Sequence, residues 1–344
     1  MFGVKATAVS IAALAALALS GLTAAAQPAP RARSNPTAPI AKADYPNARA
    51  AEARSQRLCE AATDRVWVQH DQGTSCIAYY ATPATARPGP TVLYFEGDVP
   101  AAELAQPNFE HNYLVQMRKA FQTFARQTGV RYVFIARPGV FGSSGNHGSR
   151  RNVAEVLAMN AAVDAIKQRL GLGQVVLAGQ SGGSTIAAAL LTLGRPDIAC
   201  VVLGSGLLSV VDIEHAHRIR QGIPTSTKAL MRVFLYDPTD RLTWIPHQPG
   251  RRIFVLGDPT DTRTPFPQQR SFAEHVRALG HHATTIEVAG TGTLMHSVAH
   301  LTLPAAGQCA RGVDEASIRR LVARAPAPVA RAAPPTRTSQ LTVR

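Results

Sequence analysis

Residues 174–191 read Gln-Val-Val-Leu-Ala-Gly-Gln-Ser-Gly-Gly-Ser-Thr-Ile-Ala-Ala-Ala-Leu-Leu. The short apolar run 175–178 has the length of a buried strand, and the Ala/Leu-rich stretch from Ser184 has the composition of a buried helix. Between them lies Gly179-Gln180-Ser181-Gly182-Gly183. A G-x-S-x-G pentapeptide alone recurs by chance. Between a strand and a helix it describes a sharp, strained turn that presents a serine hydroxyl, and small residues must crowd around that turn. Ser181 is therefore the candidate nucleophile, and a glycine-rich turn without chemistry is the alternative.

Apolar runs and helical patterns alternate through the rest of the chain. Strands are expected at 92–95, 132–136, 175–178, 199–203, 253–256 and 284–288, and helices at 109–126, 152–170, from 184, 267–279 and 313–323. That alternation predicts an α/β domain over residues 51–323, with a mostly parallel sheet covered by helices on both faces. The segment 65–68 looks like the first strand of a hairpin. Residues 207–250 are too long for a simple crossover and are expected to form a small cap containing a helix.

The chain ends have another character. Lys5, the apolar stretch 8–22 and Ala24-Ala25-Ala26 form the pattern of a secretory signal cleaved after residue 26, so export to the periplasm or medium is expected. Residues 27–50 and 324–344 are rich in Ala, Pro and Arg and are expected to be disordered. The four cysteines fit an exported chain with disulfides, and three pairings are open. Cys59 with Cys76 and Cys200 with Cys309 is the pairing expected here; reduced, buried thiols are the alternative. The formal charge of +14 would suggest nucleic acid as a partner, but more than half of it sits in the signal and the two ends. With no basic-aromatic interleaving in the core, nucleic acid is not expected as a partner. Weak contact of the basic tails with anionic surfaces is the remaining expectation, and stable membrane insertion is not expected.

A serine nucleophile needs a base, and the base needs an orienting acid. Strand 253–256 runs into Gly257-Asp258-Pro259-Thr260-Asp261-Thr262-Arg263-Thr264-Pro265, where two aspartates compete. Asp258 stands where an aspartate commonly serves a turn. Asp261, further out, is assigned as the acid, with Asp258 the alternative. Strand 284–288 leads into a glycine-containing loop with His296 and, four residues on, His300. His296 is assigned as the base and His300 is the alternative. His281 and His282 are placed on a helix-to-strand connection as surface residues. Glu214, His215 and His217 diverge on a helix, so no metal site is expected there, and no cofactor is expected. For the oxyanion the candidate donors are the amides of Gly182, Asp98 and Gly97. Glu96 is unusual beside them, because a carboxylate there opposes developing negative charge. It must point away, pair with a cation such as Arg137, or serve the structure.

Over about residues 90–301 these features resemble the α/β-hydrolase superfamily, most nearly its prolyl-oligopeptidase-like serine hydrolases and peptidases. The resemblance rests on Gly179–Gly183, the segment 257–265, His296, and Arg137-Pro138-Gly139-Val140-Phe141-Gly142-Ser143-Ser144-Gly145, similar to the superfamily's glycine-rich turn after a strand. Glu96, where a histidine is usual, and Arg137-Pro138, where an acidic start is usual, depart from the pattern. No β-propeller is expected before the domain. The resemblance implies an α/β-hydrolase fold and cleavage of a small ester or peptide substrate through Ser181, His296 and Asp261. A non-catalytic binding protein on the same scaffold is the alternative.

Overall fold

A computed structural model describes residues 56–85 and 88–324. The proposed signal, the segment 27–50 and all but the first residue of the basic tail lie outside the described residues.

A short helix α1 (Gln56–Ala61) precedes the hairpin β1 (Arg65–His70) and β2 (Gly73–Ala81). Then come β3 (Thr91–Phe95), α2 (Ala101–Leu104), α3 (Phe109–Thr128), β4 (Tyr132–Ile135), α4 (Val153–Leu170), β5 (Val175–Gln180), α5 (Gly182–Thr192) and β6 (Ile198–Gly204). An excursion follows with α6 (Val210–Arg220), α7 (Lys228–Phe234) and a 3-10 segment, Pro238–Trp244. The chain closes with β7 (Arg252–Gly257), α8 (Phe266–Ala278), β8 (His282–Glu287), α9 (Ala299–Ala310) and α10 (Glu315–Arg324).

The eight strands form one sheet in the order β1-β2-β4-β3-β5-β6-β7-β8. Strands β4, β3, β5, β6, β7 and β8 pair in parallel, while β2 is antiparallel to both β1 and β4. Side chains of a strand alternate between faces, and each face here has its own core. Leu93, Phe95, Leu177, Leu203 and Val255 pack with α4, α5 and α8, whereas Val92, Tyr94, Ala178, Val202 and Leu256 pack with α3, α9 and α10. Both faces are covered, and β3, β4 and β5 are buried at every position.

Two elements differ from the expectation. His282 opens β8 instead of lying in the connection, though it is exposed. Helix α9 has no counterpart in the expected pattern, because Pro304 and Gly307 read as helix breakers. Burial overrides that signal: Leu301, Leu303, Ala305 and Ala306 are at most 7% exposed. Gly307 permits a close approach, since a Cβ there would lie 2.0 Å from Tyr132 Oη.

Disulfides join Cys59 of α1 to Cys76 of β2 and Cys200 of β6 to Cys309 of α9. They span 17 and 109 residues. Restricting the unfolded chain by such loops stabilises by about 3 and about 4–5 kcal/mol, respectively. In urea unfolding, Cys200→Ala/Cys309→Ala is therefore expected to lose about 1–2 kcal/mol more than Cys59→Ala/Cys76→Ala; equal losses or the reverse order would contradict the loop-length account.

Candidate active site

Ser181 joins β5 to α5 with φ 53° and ψ −121°, a left-handed conformation that a residue with a Cβ adopts only under constraint. The constraint is visible. Its amide donates to the Gly204 carbonyl at 2.8 Å, and strand and helix approach so closely that a Cβ on Gly179 would lie 2.4 Å from Gly183 C and O. A Cβ on Gly183 would lie 2.0 Å from the Phe95 carbonyl oxygen. The glycines thus let α5 begin directly against the end of β3, and the serine is left at the tip, 8% exposed.

His296 lies in the loop between β8 and α9, where Thr291 and Ser297 form an isolated antiparallel bridge. Its Nδ1 is 2.8 Å from Asp261 Oδ2, so Nδ1 carries the proton and donates, leaving Nε2 as the basic nitrogen. Asp261 Oδ1 also accepts the amides of Arg263 and Thr264, at 2.8 and 3.1 Å, and Oδ2 accepts the Thr264 hydroxyl at 2.9 Å. Burial alone would raise this carboxyl, but the His296 hydrogen bond and charge and the two amides outweigh it and hold Asp261 below the usual aspartate range. It therefore stays ionised beside the imidazole. Among the described residues His296 Nε2 is buried without a hydrogen-bond partner, so the imidazole does not bond Ser181 Oγ in this state.

The competing residues have other employment. Asp258 accepts the Thr260 amide at 2.7 Å, the Thr260 hydroxyl at 2.6 Å and the Gly290 amide at 2.7 Å, which shapes its own turn and ties it to the His296 loop. His300 lies in α9 and bonds neither aspartate among the described residues. Two further residues enter the site without having been singled out in the sequence. Thr264 Oγ1 lies within 3.3 Å of Asp261, His296 and the Ser205 carbonyl. Gln180 spans from the end of β5 to the His296 loop. Both lay inside segments quoted for their neighbours, yet a threonine or glutamine carries no chemical signature that sets it apart.

The loop after β3 lies against the elbow: a Cβ on Gly97 would be 3.3 Å from Ser181 Cβ. Its Gly97 amide is not free, since it donates to Glu96 Oε1 at 2.8 Å. Gly97 is thereby removed from the candidate oxyanion donors. Among the described residues the Asp98 and Gly182 amides donate to no protein acceptor and remain. The Asp98 carboxylate sits under Gly182, where a Cβ would lie 2.2 Å from Oδ1. It pairs with Arg137 Nη1 at 2.8 Å, Arg150 Nε at 3.0 Å and Arg151 Nη1. Arg137, 1% exposed, also holds Glu155 Oε1 at 2.8 Å, and Arg151 Nη2 holds Glu214 Oε1 of α6 at 2.6 Å. Burial opposes the Asp98 charge, but Arg151, Arg137 and Arg150 hold its carboxyl well below the ordinary range. Nearby His147 accepts the Val99 amide at Nε2 and is kept neutral, chiefly by burial and then by Arg137, with a pKa of about 3.

The parallel sheet, the strand-to-helix elbow, and an acid and a histidine on the loops after β7 and β8 together make this an α/β-hydrolase fold. The fold agrees with one solved structure at a TM-score of 0.50, and two others score lower. Est1E from Butyrivibrio proteoclasticus is similar with a TM-score of 0.50 and 11% identity, over 72% of this chain and 97% of that one. The esterase Pf2001 of Pyrococcus furiosus gives 0.45 and 14%, over 66% and 82%. The acylaminoacyl peptidase of Pyrococcus horikoshii gives 0.47 and 11%, over 72% and 39%. No family model matches the chain, and no curated protein matches it in sequence.

Glu96 does not pair with Arg137, which donates only to its main-chain carbonyl, at 3.4 Å. Its carboxyl accepts from Tyr94 Oη at 3.2 Å and from Tyr113 Oη, whose ring stacks on Phe141. Burial lifts this carboxyl from 4.5 to about 7 against the pull of the Gly97 amide, the Tyr94 hydroxyl and Arg137. The native state therefore binds the proton more tightly than the unfolded chain. The stability this gives is complete below the usual glutamate range and is lost as pH rises through about 7. Glu96→Gln cannot ionise, so its unfolding free energy is expected to fall less steeply than that of the wild type between pH ~4.5 and ~7.5. Urea unfolding across that interval measures the difference, and parallel profiles would refute the assignment.

Proposed function

We propose that this protein is an exported serine hydrolase that cleaves a small ester or amide substrate through Ser181, His296 and Asp261. The observation that carries the reading is the strained conformation of Ser181 together with an imidazole that is oriented by a buried, ionised Asp261 and has its other nitrogen free. A glycine-rich turn with no chemistry has no need of that combination.

In the proposed reaction His296 Nε2 takes the Ser181 Oγ proton as Oγ attacks the substrate carbonyl carbon. The oxyanion so formed is met by the Gly182 and Asp98 amides. Collapse expels the alcohol or amine, which receives the proton from His296, and leaves Ser181 acylated. Water then repeats the sequence, giving its proton to His296 and releasing the acid and the free serine. Asp261 keeps its charge throughout and stabilises the imidazolium. The two disulfides fit an oxidising compartment, and no helix among the described residues is long and apolar enough to cross a membrane. No residue cluster with metal-ligand character occurs among the described residues, and Glu214 is engaged by Arg151.

A fluorophosphonate probe is expected to label wild-type protein at Ser181 and to leave Ser181→Ala unlabelled. Absence of labelling in folded wild-type protein would point to the non-catalytic alternative. Against p-nitrophenyl esters, Ser181→Ala and Asp261→Asn are each expected to lower kcat by about four orders of magnitude. Running aminoacyl and prolyl amides beside those esters decides which bond is the substrate's.

A further inference from the structure

We infer that Gln180 is a positioning residue that sets the place of the His296 imidazole relative to Ser181. The inference rests on the proposed hydrolase reading and extends it to a residue with no chemistry of its own.

Gln180 is the last residue of β5 and is 5% exposed. Both halves of its side-chain amide are used on the histidine loop. Nε2 donates to the His296 carbonyl at 2.9 Å, and Oε1 accepts the Val298 amide at 3.1 Å. The loop's other ties lead to the acid side. His296 bonds Asp261, Gly290 bonds Asp258, and the Thr262 amide donates to the Leu294 carbonyl at 3.3 Å. Those bonds fix the imidazole against the end of β7 and leave its distance to the serine undetermined. The Gln180 amide supplies the missing reference, because its backbone is one peptide bond from Ser181. Strand β6 leaves space for the arrangement: a Cβ on Gly204 would approach Gln180 Oε1 to 3.3 Å, and glycine avoids that crowding.

A planar amide suits this task because it offers one donor and one acceptor in fixed relation. The donor must meet a carbonyl and the acceptor an amide, so neither a hydrocarbon nor a carboxylate can replace it. An ionised carboxylate would set an oxygen against the His296 carbonyl oxygen. A neutral carboxylic acid would restore the pattern, donating its O–H to that carbonyl and accepting the Val298 amide on its other oxygen.

Two substitutions test the inference, with folding checked by thermal unfolding. Gln180→Met keeps the volume and removes both bonds. It is expected to lower kcat, and equally the rate of fluorophosphonate labelling, by about ten- to a hundredfold while KM changes by less than about threefold, as misplacement of a reacting group predicts. Gln180→Glu is expected to show kcat relative to wild type that climbs as pH falls and the new carboxyl becomes neutral. A role in packing alone would leave that ratio flat. The inference is overturned if Gln180→Met keeps kcat within about threefold of wild type, or if the Gln180→Glu ratio does not change with pH in protein that stays folded. Ser181→Ala separates this failure from that of the hydrolase reading: if it too keeps activity the reading itself is wrong, and if it is inactive only the role of Gln180 is.

Discussion

The turn at Ser181 is the constraint around which the rest of the domain is arranged. A non-glycine residue at φ 53°, ψ −121° sits outside the broad allowed regions, at a cost on the order of 1–3 kcal/mol. The surrounding structure must over-determine it. The Gly204 carbonyl takes the Ser181 amide from the β6 side, and Gly183 lets α5 lie against the Phe95 carbonyl on the β3 side. Helix α5 is buried at every residue, so the serine cannot relax without lifting an entire apolar helix from the sheet. Strain at one residue is thus held by packing spread over a whole element.

Beneath the turn the holding device changes from apolar packing to charge. Asp98, Arg137, Glu155, Arg151 and Glu214 form a connected set of ion pairs running from the loop after β3, under Gly182, to α6 in the excursion between β6 and β7. Burying such charges costs several kcal/mol per ion before their attraction is counted, so the set is weak evidence for added stability. What it supplies is geometry. A guanidinium offers fixed donor directions, and Arg137 uses them to link two carboxylates from different elements. The Asp98 side chain is thereby held in place beside the elbow.

How much of this could be read from the residues depended on how local the signal was. Strands β3 to β7 were legible because each contains a short apolar run bounded by turn residues, and the elbow was legible because its glycines, strand and helix are contiguous. Asp261 could be ranked above Asp258 because Asp258 stands before a proline at a turn position, and His296 above His300 because it comes first beyond the glycines; the structure brings Asp261 and His296 together at 2.8 Å. Helix α9 was missed because Pro304 and Gly307 are local signals, whereas the burial that overrides them is set by strands more than a hundred residues away. Gly97 was misjudged for a related reason, since whether its amide is free depends on the rotamer of Glu96. Arg137 showed as a departure from a pattern and as a candidate partner of Glu96, with which it does not pair. Its partners Asp98 and Glu155 become visible only once the loops after β3 and β4 are side by side.

Two carboxylates of the site, Asp261 and Glu96, show how environment, not residue type, divides charge across it. Asp261 is buried and Glu96 half-buried, and each accepts several hydrogen bonds. Asp261 receives two amides, a hydroxyl and a histidine that becomes cationic in the proposed reaction, and these donors outweigh desolvation. Glu96 receives one amide and two phenols, while the nearest guanidinium is turned to Asp98 and Glu155, and desolvation prevails. One carboxyl therefore stays charged where the reaction needs an anion, beside the imidazole. The other stays largely neutral below about pH 7, two residues from the Asp98 amide that the proposed reaction sets against the oxyanion. Had Arg137 paired with Glu96, the carboxylate would be ionised at the donor loop and Asp98 would lose one of the contacts that fix it. The choice of partner for that single buried arginine thus decides both the charge and the rigidity of the loop that meets the serine.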